Sequence, residues 1–213
     1  PGRAAVVRTG VDLRRFHPQS DAHQIREQLD LPQRHRIVGT VGAIVEQKGH
    51  RSLVEAAPLV IDEMPHTTFL IAGSGPLRDE LEARVDDLGL GRRFRFLGHR
   101  DDVPRVLGTL DLFVMPSVWE GMPYALVEAM AVGVPVVGSD IPGIADIVRP
   151  HETGRLTPPG DPVALARTIR AALNEDGKSA TMAEAAREIV VREHSREQML
   201  ASLAGCYERL MED

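Results

Sequence analysis

The chain is expected to be an α/β protein: a Rossmann-like parallel sheet with helices on both faces. Three observations predict this. From His35 onward, apolar runs of strand length alternate with segments of helical period. Runs such as "RIVGTVGAIV" and "TTFLIAG" are apolar throughout rather than on alternate residues, the pattern of strands buried on both faces. A length of 213 residues with 43% apolar residues suits one domain with a packed core, with arms appended to it.

The elements follow in order. "PGRAAVVRTGVDLRRFHP" opens the chain without an initiator methionine and reads as a short strand, a turn and a polar arm, as expected of a fragment that starts inside a linker. "RIVGTVGAIV" is the first long strand, rich in β-branched residues and running toward Lys48-Gly49. "HRSLVEAAPLVIDEM" sets Leu53, Ala56 and Val60 on one helical face, with Pro58 weakening or bending the helix. "TTFLIAG" is a strand and "GPLRDELEARVDDLGL" a helix, with Gly91 after it. "RFRFLG" and "LDLFVMP" are strands separated by a short helix, "DDVPRVLGT", for which Asp101-Asp102 is the expected N-cap. "VPVVGS" is a further strand. "DPVALARTIRAALN" is an amphipathic helix with Asp161 as N-cap and Pro162 in its first turn. Thr181 to Met211 make one or two helices with a break near Ser195.

Composition excludes several function classes. The formal charge of −6 provides no general field for nucleic acid or an anionic membrane, so an anionic ligand needs locally placed donors. The single cysteine, Cys206, permits no internal disulfide, sits in a helical pattern and fits a reducing, cytoplasmic location. No signal-like start and no run apolar enough to cross a bilayer are present, so a soluble protein is expected.

Sheets of this class bind ligands outside the C-terminal ends of their strands. That rule selects loops 42–49, 73–76, 97–101, 116–123 and 138–143. "GSGP" (Gly73 to Pro76) reads first as a tight strand-to-helix turn and lacks the third glycine of a dinucleotide fingerprint. Lys48, in "EQKGH", is either a phosphate-facing charge or a solvated side chain. "WEGMPYALVEAMAVGVPVV" carries more information. Pro123 begins a helix whose N-terminal amides and dipole suit a phosphate or sugar hydroxyls, and Glu128 lies near its buried side, where a carboxylate needs partners. Ligand hydroxyls would supply them. The structural alternatives are that Glu120 caps the helix and that Glu128 pairs with a neighbouring amide or base.

These residues resemble a known family. "EGMPYALVE" is similar to the E-x7-E motif of retaining glycosyltransferases with the two-domain GT-B fold, often called glycosyltransferase group 1 or family 4. "RTGVDLRRFHP" resembles the linker that opens the family's C-terminal domain, with Thr9 where asparagine is usual. "VGAIVEQKG", "LIAGSGP", "FLGHRDDVPRVL", "GSDIPGIADIV" and "GRLTPPGDPVALARTI" match further motifs in order, so the resemblance runs from about Val7 to Leu210. It implies the C-terminal half of a GT-B fold: residues 1–20 as interdomain linker, 21–195 as nucleotide-sugar-binding domain, and 196–213 as a terminal helix that docks on an N-terminal domain.

The resemblance also implies roles. Glu128 accepts the donor's ribose hydroxyls, and Glu120 holds hydroxyls of the transferred sugar. The amides around Gly121, Met122 and Tyr124 face the sugar or distal phosphate. Lys48 neutralises the diphosphate, Gly42 lines the same site, and backbone near His99 and Arg100 meets the base. Lys48 and Glu120 are the implied catalytic pair. No cofactor or metal is implied; the donor, a nucleoside diphosphate sugar, is itself the substrate. Two departures stand out. Ala43 occupies the place of a family arginine, a loss that would weaken donor binding about 10- to 100-fold unless another arginine such as Arg100 compensates. The family's N-terminal domain, with the acceptor site, has no counterpart in this sequence. The implied function is donor binding for hexosyl transfer to an unidentified acceptor. The rivals are a non-catalytic nucleotide-sugar-binding or partner module, and an epimerase or phosphorylase on the same fold.

Overall fold

The computed structural model describes residues 7–212. Six strands form one sheet: β1 (Arg36–Val41), β2 (Thr67–Ala72), β3 (Phe94–Gly98), β4 (Leu112–Met115), β5 (Val136–Ser139) and β6 (Arg155–Thr157). Their order is β3-β2-β1-β4-β5-β6, and every pairing is parallel. The chain therefore builds outward from β1 to β3, then returns to the other side of β1. Where the order reverses, between β1 and β4, the helices leave to opposite faces and a crevice opens at the strands' C-terminal ends.

Nine helices are described: α1 (Ala22–Gln28), α2 (His50–Glu63), α3 (Arg78–Asp87), α4 (Val103–Gly108), α5 (Tyr124–Val132), α6 (Pro142–Ala145), α7 (Pro162–Asn174), α8 (Asp176–Glu193) and α9 (Arg196–Glu212). Strand side chains alternate between two cores. Val38, Leu112 and Val114 join Leu53 and Val60 of α2 and Ile169 of α7 on one face. Ile37, Phe113 and Met115 join Leu107 of α4, Leu126 and Met130 of α5 and Val190 of α8 on the other. The expected fold class holds, and the apolar strands are its cause: each must cover two faces.

Details differ from the sequence expectation for local reasons. The strand expected in the opening stretch lies largely outside the described residues. The first long apolar run is only partly strand: β1 stops at Val41, and Ile44 is fully buried from a loop. Helix α2 continues through Pro58, because Ala56, Ala57 and Val60 are fully buried around it. Gly89, not Gly91, takes the left-handed position just after α3, with φ 65°. Asp161 caps α7 as expected, accepting from the amides of Val163 and Ala164 at 3.0 and 2.9 Å. Asp102 stands at the N-cap position of α4 without capping it, for Arg100 claims its carboxylate. The break between α8 and α9 falls at His194-Ser195, where Val11 clamps it: the Val11 amide donates to the His194 carbonyl (2.7 Å), and the Arg196 amide to the Val11 carbonyl (2.9 Å). Helix α9 beyond the break leaves Leu200, Leu203, Tyr207 and Met211 exposed.

One contact positions the crevice. A single 3-10 turn, Glu46–Lys48, ends at Gly49 with φ 62°, and a Cβ there would lie 2.0 Å from the Pro116 carbonyl oxygen. Only glycine lets the turn after β1 press against the end of β4. Gly160 has a similar φ of 70° but open space around it. Gly160→Ala should thus lose only about 1 kcal/mol of stability, the left-handed cost, whereas Gly49→Ala should lose roughly 2–4 kcal/mol. Urea unfolding of both variants measures this; equal losses would mean the Pro116 contact yields freely.

Candidate functional site

The loops after the first four strands are hydrogen-bonded into one ledge. The Gly42 amide donates to the Ala72 carbonyl (3.0 Å), Ile44 to Ser74 (2.9 Å), Gly73 to Gly98 (2.8 Å) and Val118 to Gln47 (2.8 Å). Four of the five loops selected by sequence are thereby joined. The fifth, after β5, abuts them: a Cβ on Gly143 would lie 2.3 Å from the Glu120 carbonyl oxygen.

On this ledge Lys48 and Glu120 meet. Lys48 Nζ lies 2.6 Å from Glu120 Oε1, and the Glu120 side chain is only 3% exposed. Ser117 Oγ, in a fully buried residue, donates to the same oxygen at 2.9 Å. Glu120 therefore does not cap α5; it is held by a cation and a hydroxyl. Gln47 braces the loop, its side-chain amide donating to the Trp119 carbonyl at 3.1 Å. His50, next to Gly49, is 3% exposed and its Nδ1 has no partner. Burial, helped by the charge of Lys48, holds its pKa down at about 4, so the imidazole is neutral and Lys48 remains the local cation.

Helix α5 starts beside this pair. Pro123 occupies the N-cap position, one residue earlier than a first-turn proline. The Tyr124 amide is already taken, donating to the Met122 carbonyl at 3.0 Å. This corrects its expected role. The Gly121 and Met122 amides donate no backbone hydrogen bond among the described residues. Glu128 lies one turn into the helix, half-buried, and among the described residues its carboxylate accepts no hydrogen bond. Desolvation pushes its pKa up to about 7, with the charge of Arg15 acting against the rise. The structural alternative for Glu128, pairing with a neighbouring amide or base, is not what the structure contains.

A cavity of about 280 Å³ at the ends of β1, β2 and β3 is lined by Gly42, Ala43, Gly73, Ser74, His99 and Arg100. It brings His99 and Arg100, the two residues expected at the base, together with Gly42. Arg100 is not free, however: Nε and Nη2 donate to the two oxygens of Asp102 at 2.8 and 2.7 Å. It is a poor substitute for the arginine that Ala43 replaces. A larger hollow of about 450 Å³ lies at the start of β6, away from the ledge. Its Arg155 and Lys178 both bind Glu175, at 2.9 and 3.3 Å, so its charges are internally satisfied. Sequence reasoning missed Ser117, Gln47 and Arg15. The only local signal was the serine three residues before Glu120, a spacing at which a hydroxyl reaches a neighbouring side chain.

Comparison with known proteins places this geometry. The sequence pattern of the family described as glycosyl transferases, group 1, matches residues 21–189. The chain belongs to that family. A 2-deoxystreptamine glucosyltransferase of Streptomyces kanamyceticus is 33% identical over 195 residues, covering 90% of this chain and 50% of that enzyme. An Escherichia coli UDP-Gal:alpha-D-GlcNAc-diphosphoundecaprenol alpha-1,3-galactosyltransferase is 36% identical over 160 residues, 73% of this chain and 41% of that one. The chain thus spans about half the length of these relatives. The structure of Anabaena HepE in complex with UDP and glucose superposes with a TM-score of 0.86 at 28% identity, covering 96% of this chain and 56% of that one. The C-terminal domain of a group 1 glycosyl transferase (LpcC) from Francisella tularensis superposes with a TM-score of 0.79 at 25% identity, over 88% of this chain and all of that one. The chain has the α/β fold of these GT-B neighbours and aligns with a solved C-terminal domain over that domain's whole length. Among the described residues no helix is long and apolar enough to cross a membrane.

Glu128 makes stability pH-dependent in a definite direction. Its folded pKa of about 7 exceeds its ordinary 4.5, so the unfolded chain ionises more readily and stability falls as pH rises between these values. Glu128→Gln should be more stable than the parent at pH 8.5, with the advantage shrinking below pH 7 and gone by pH 4.5. Thermal unfolding across this range is the measurement.

Proposed function

We propose that the chain is the donor-binding part of a retaining hexosyltransferase, taking a hexose from a nucleoside diphosphate sugar. The observation that carries this is the Glu128 carboxylate. It is half-buried, without a hydrogen bond, one turn behind a helix N-terminus and a lysine. A ribose diol would give its oxygens two donors, which reduces the desolvation penalty. A diphosphate running from that ribose toward Lys48 would meet the Gly121 and Met122 amides at the positive end of α5. The base would lie over the Gly42, His99 and Arg100 cavity. A relative, HepE, was crystallised with UDP and glucose, which favours a uridine nucleotide.

The chemistry follows from charge. Breaking the bond between the sugar's anomeric carbon and the diphosphate leaves negative charge on the leaving oxygen, and Lys48 with the helix amides stabilises it without needing a metal ion. Glu120 holds hydroxyls of the sugar, and the acceptor enters from the leaving-group face, so configuration is retained. On this reading the acceptor pocket lies outside the chain, which spans 50% and 41% of two relatives. Lys48 is bound to Glu120, so donor binding would exchange the lysine's partner.

That exchange sharpens the test. Glu120→Gln releases Lys48, so it should leave UDP affinity equal or a few-fold tighter while weakening a UDP-hexose. Glu128→Gln and Lys48→Ala should weaken both ligands roughly 10-fold, the loss of one charge-assisted hydrogen bond. Ala43→Arg should tighten UDP and steepen its salt dependence. Trp119, the one tryptophan of the chain, is 55% exposed beside Glu120, so its emission reports occupancy alongside calorimetry. Equal losses of both ligands in Glu120→Gln would overturn the division of roles. Turnover at an ordinary enzymatic rate by this chain alone would refute the assignment of the acceptor site to another domain.

A further inference from the structure

Glu120 is fixed from its main chain outward. Gln47 donates to the carbonyl of the preceding residue, Trp119, at 3.1 Å. Gly143 of α6 packs so closely that a Cβ on the glycine would lie 2.3 Å from the Glu120 carbonyl oxygen and 3.3 Å from the Glu120 Cβ. What remains free is rotation of the side chain, and one oxygen sets it. Oε1 takes both Lys48 Nζ at 2.6 Å and Ser117 Oγ at 2.9 Å, whereas Oε2 accepts no hydrogen bond among the described residues.

The two donors differ in what a ligand does to them. The Lys48 side chain is 22% exposed, ends a flexible stem and carries the charge that a diphosphate attracts. Ser117 is fully buried, directly after Pro116, whose carbonyl oxygen meets Gly49, so its backbone has no room to follow a ligand. Its hydroxyl is neutral and has a single proton to give, which goes to Oε1. When the lysine turns to phosphate, a carboxylate only 3% exposed loses the cation beside it, and such a group is costly to leave without a donor. The serine stays.

We infer that Ser117 is a positioning residue of the donor site: it holds Oε1 of Glu120 while Lys48 turns to the diphosphate, and so keeps Oε2 as the oxygen that receives a hexose hydroxyl. This rests on the donor reading above, through Glu120 and Lys48. A neutral donor suits the place. It neither draws the diphosphate nor is drawn by it, so its hold on Glu120 is the same before and after binding.

The test measures UDP, UDP-glucose and UDP-galactose by calorimetry in the parent, Ser117→Ala, Ser117→Cys, Glu120→Ala and the double variant Ser117→Ala with Glu120→Ala. Ser117→Ala should keep UDP affinity within about two-fold and lose roughly 3- to 10-fold on the UDP-hexose that the parent prefers to UDP. Ser117→Cys, a weaker donor of similar size, should fall between. In the Glu120→Ala background the serine has nothing to hold, so Ser117→Ala should cost no further hexose affinity. Four results overturn the inference: no loss in Ser117→Ala, a loss shared equally by UDP and the UDP-hexose, a loss that persists without Glu120, or a parent that binds UDP but neither UDP-hexose more tightly. A ligand-free cycle tests the contact by itself. In urea unfolding the midpoint shifts of the two single alanine variants should not sum to that of the double variant, and additive shifts overturn the inference as well. Failure of the parent to bind UDP would instead defeat the donor reading, while this cycle still decides whether Ser117 sets Glu120.

Discussion

The ligand face depends on how closely the turn after β1 approaches the end of β4. Those strands are neighbours only because the chain reverses direction across the sheet there, and the Gly49 backbone then packs on the Pro116 carbonyl without room for a Cβ. Everything chemical follows from that approach. It carries Lys48 to 2.6 Å from Glu120 across a sequence separation of 72 residues. It also lets the Gln47 carbonyl accept from the Val118 amide, which locks the two loops as one piece. A looser contact would leave the lysine in solvent, where a single ammonium exerts little directed pull on an anion.

Two glutamates from one motif end in opposite electrostatic states. The Glu120 side chain is almost fully buried, yet it is compensated by a cation and a hydroxyl. Glu128 is half-buried, but among the described residues no side chain bonds its carboxylate, and desolvation is the dominant effect on it. Its ionised form is therefore the expensive one, offset in part by Arg15. A partnerless carboxylate in an apolar helix is a liability for stability, the trade expected where binding and not folding sets the residue.

The ends of the described chain are tied together at the break between α8 and α9, where Val11 bonds both His194 and Arg196. Phe16 inserts into the core a few residues later. The segment before α1 is thereby fixed to the domain at two points, and Arg15 inherits its position from them. Helix α9, in contrast, has no buried residue among those whose burial is described, and Leu200, Leu203, Tyr207 and Met211 are exposed.

Local patterns in the sequence determined a good deal. Apolar runs of strand length declared five of the six strands; Asp161-Pro162 declared the start of α7; and the loops of the candidate face followed from the strand ends. These features depend on residues close in sequence, where hydrophobic period and capping chemistry act directly. The three-residue β6, Arg155–Thr157, is too short to show a period and exists because β5 offers it an edge. Partner choice was settled by the tertiary structure alone. A sequence shows that Arg100, Lys48, Ser117 and Arg15 carry donors. It does not show that Asp102 consumes the first, that Glu120 gathers the next two, or that the Asp101 carbonyl takes the last. Charges pair by distance in space, and only the order of the strands converts distance along the chain into that.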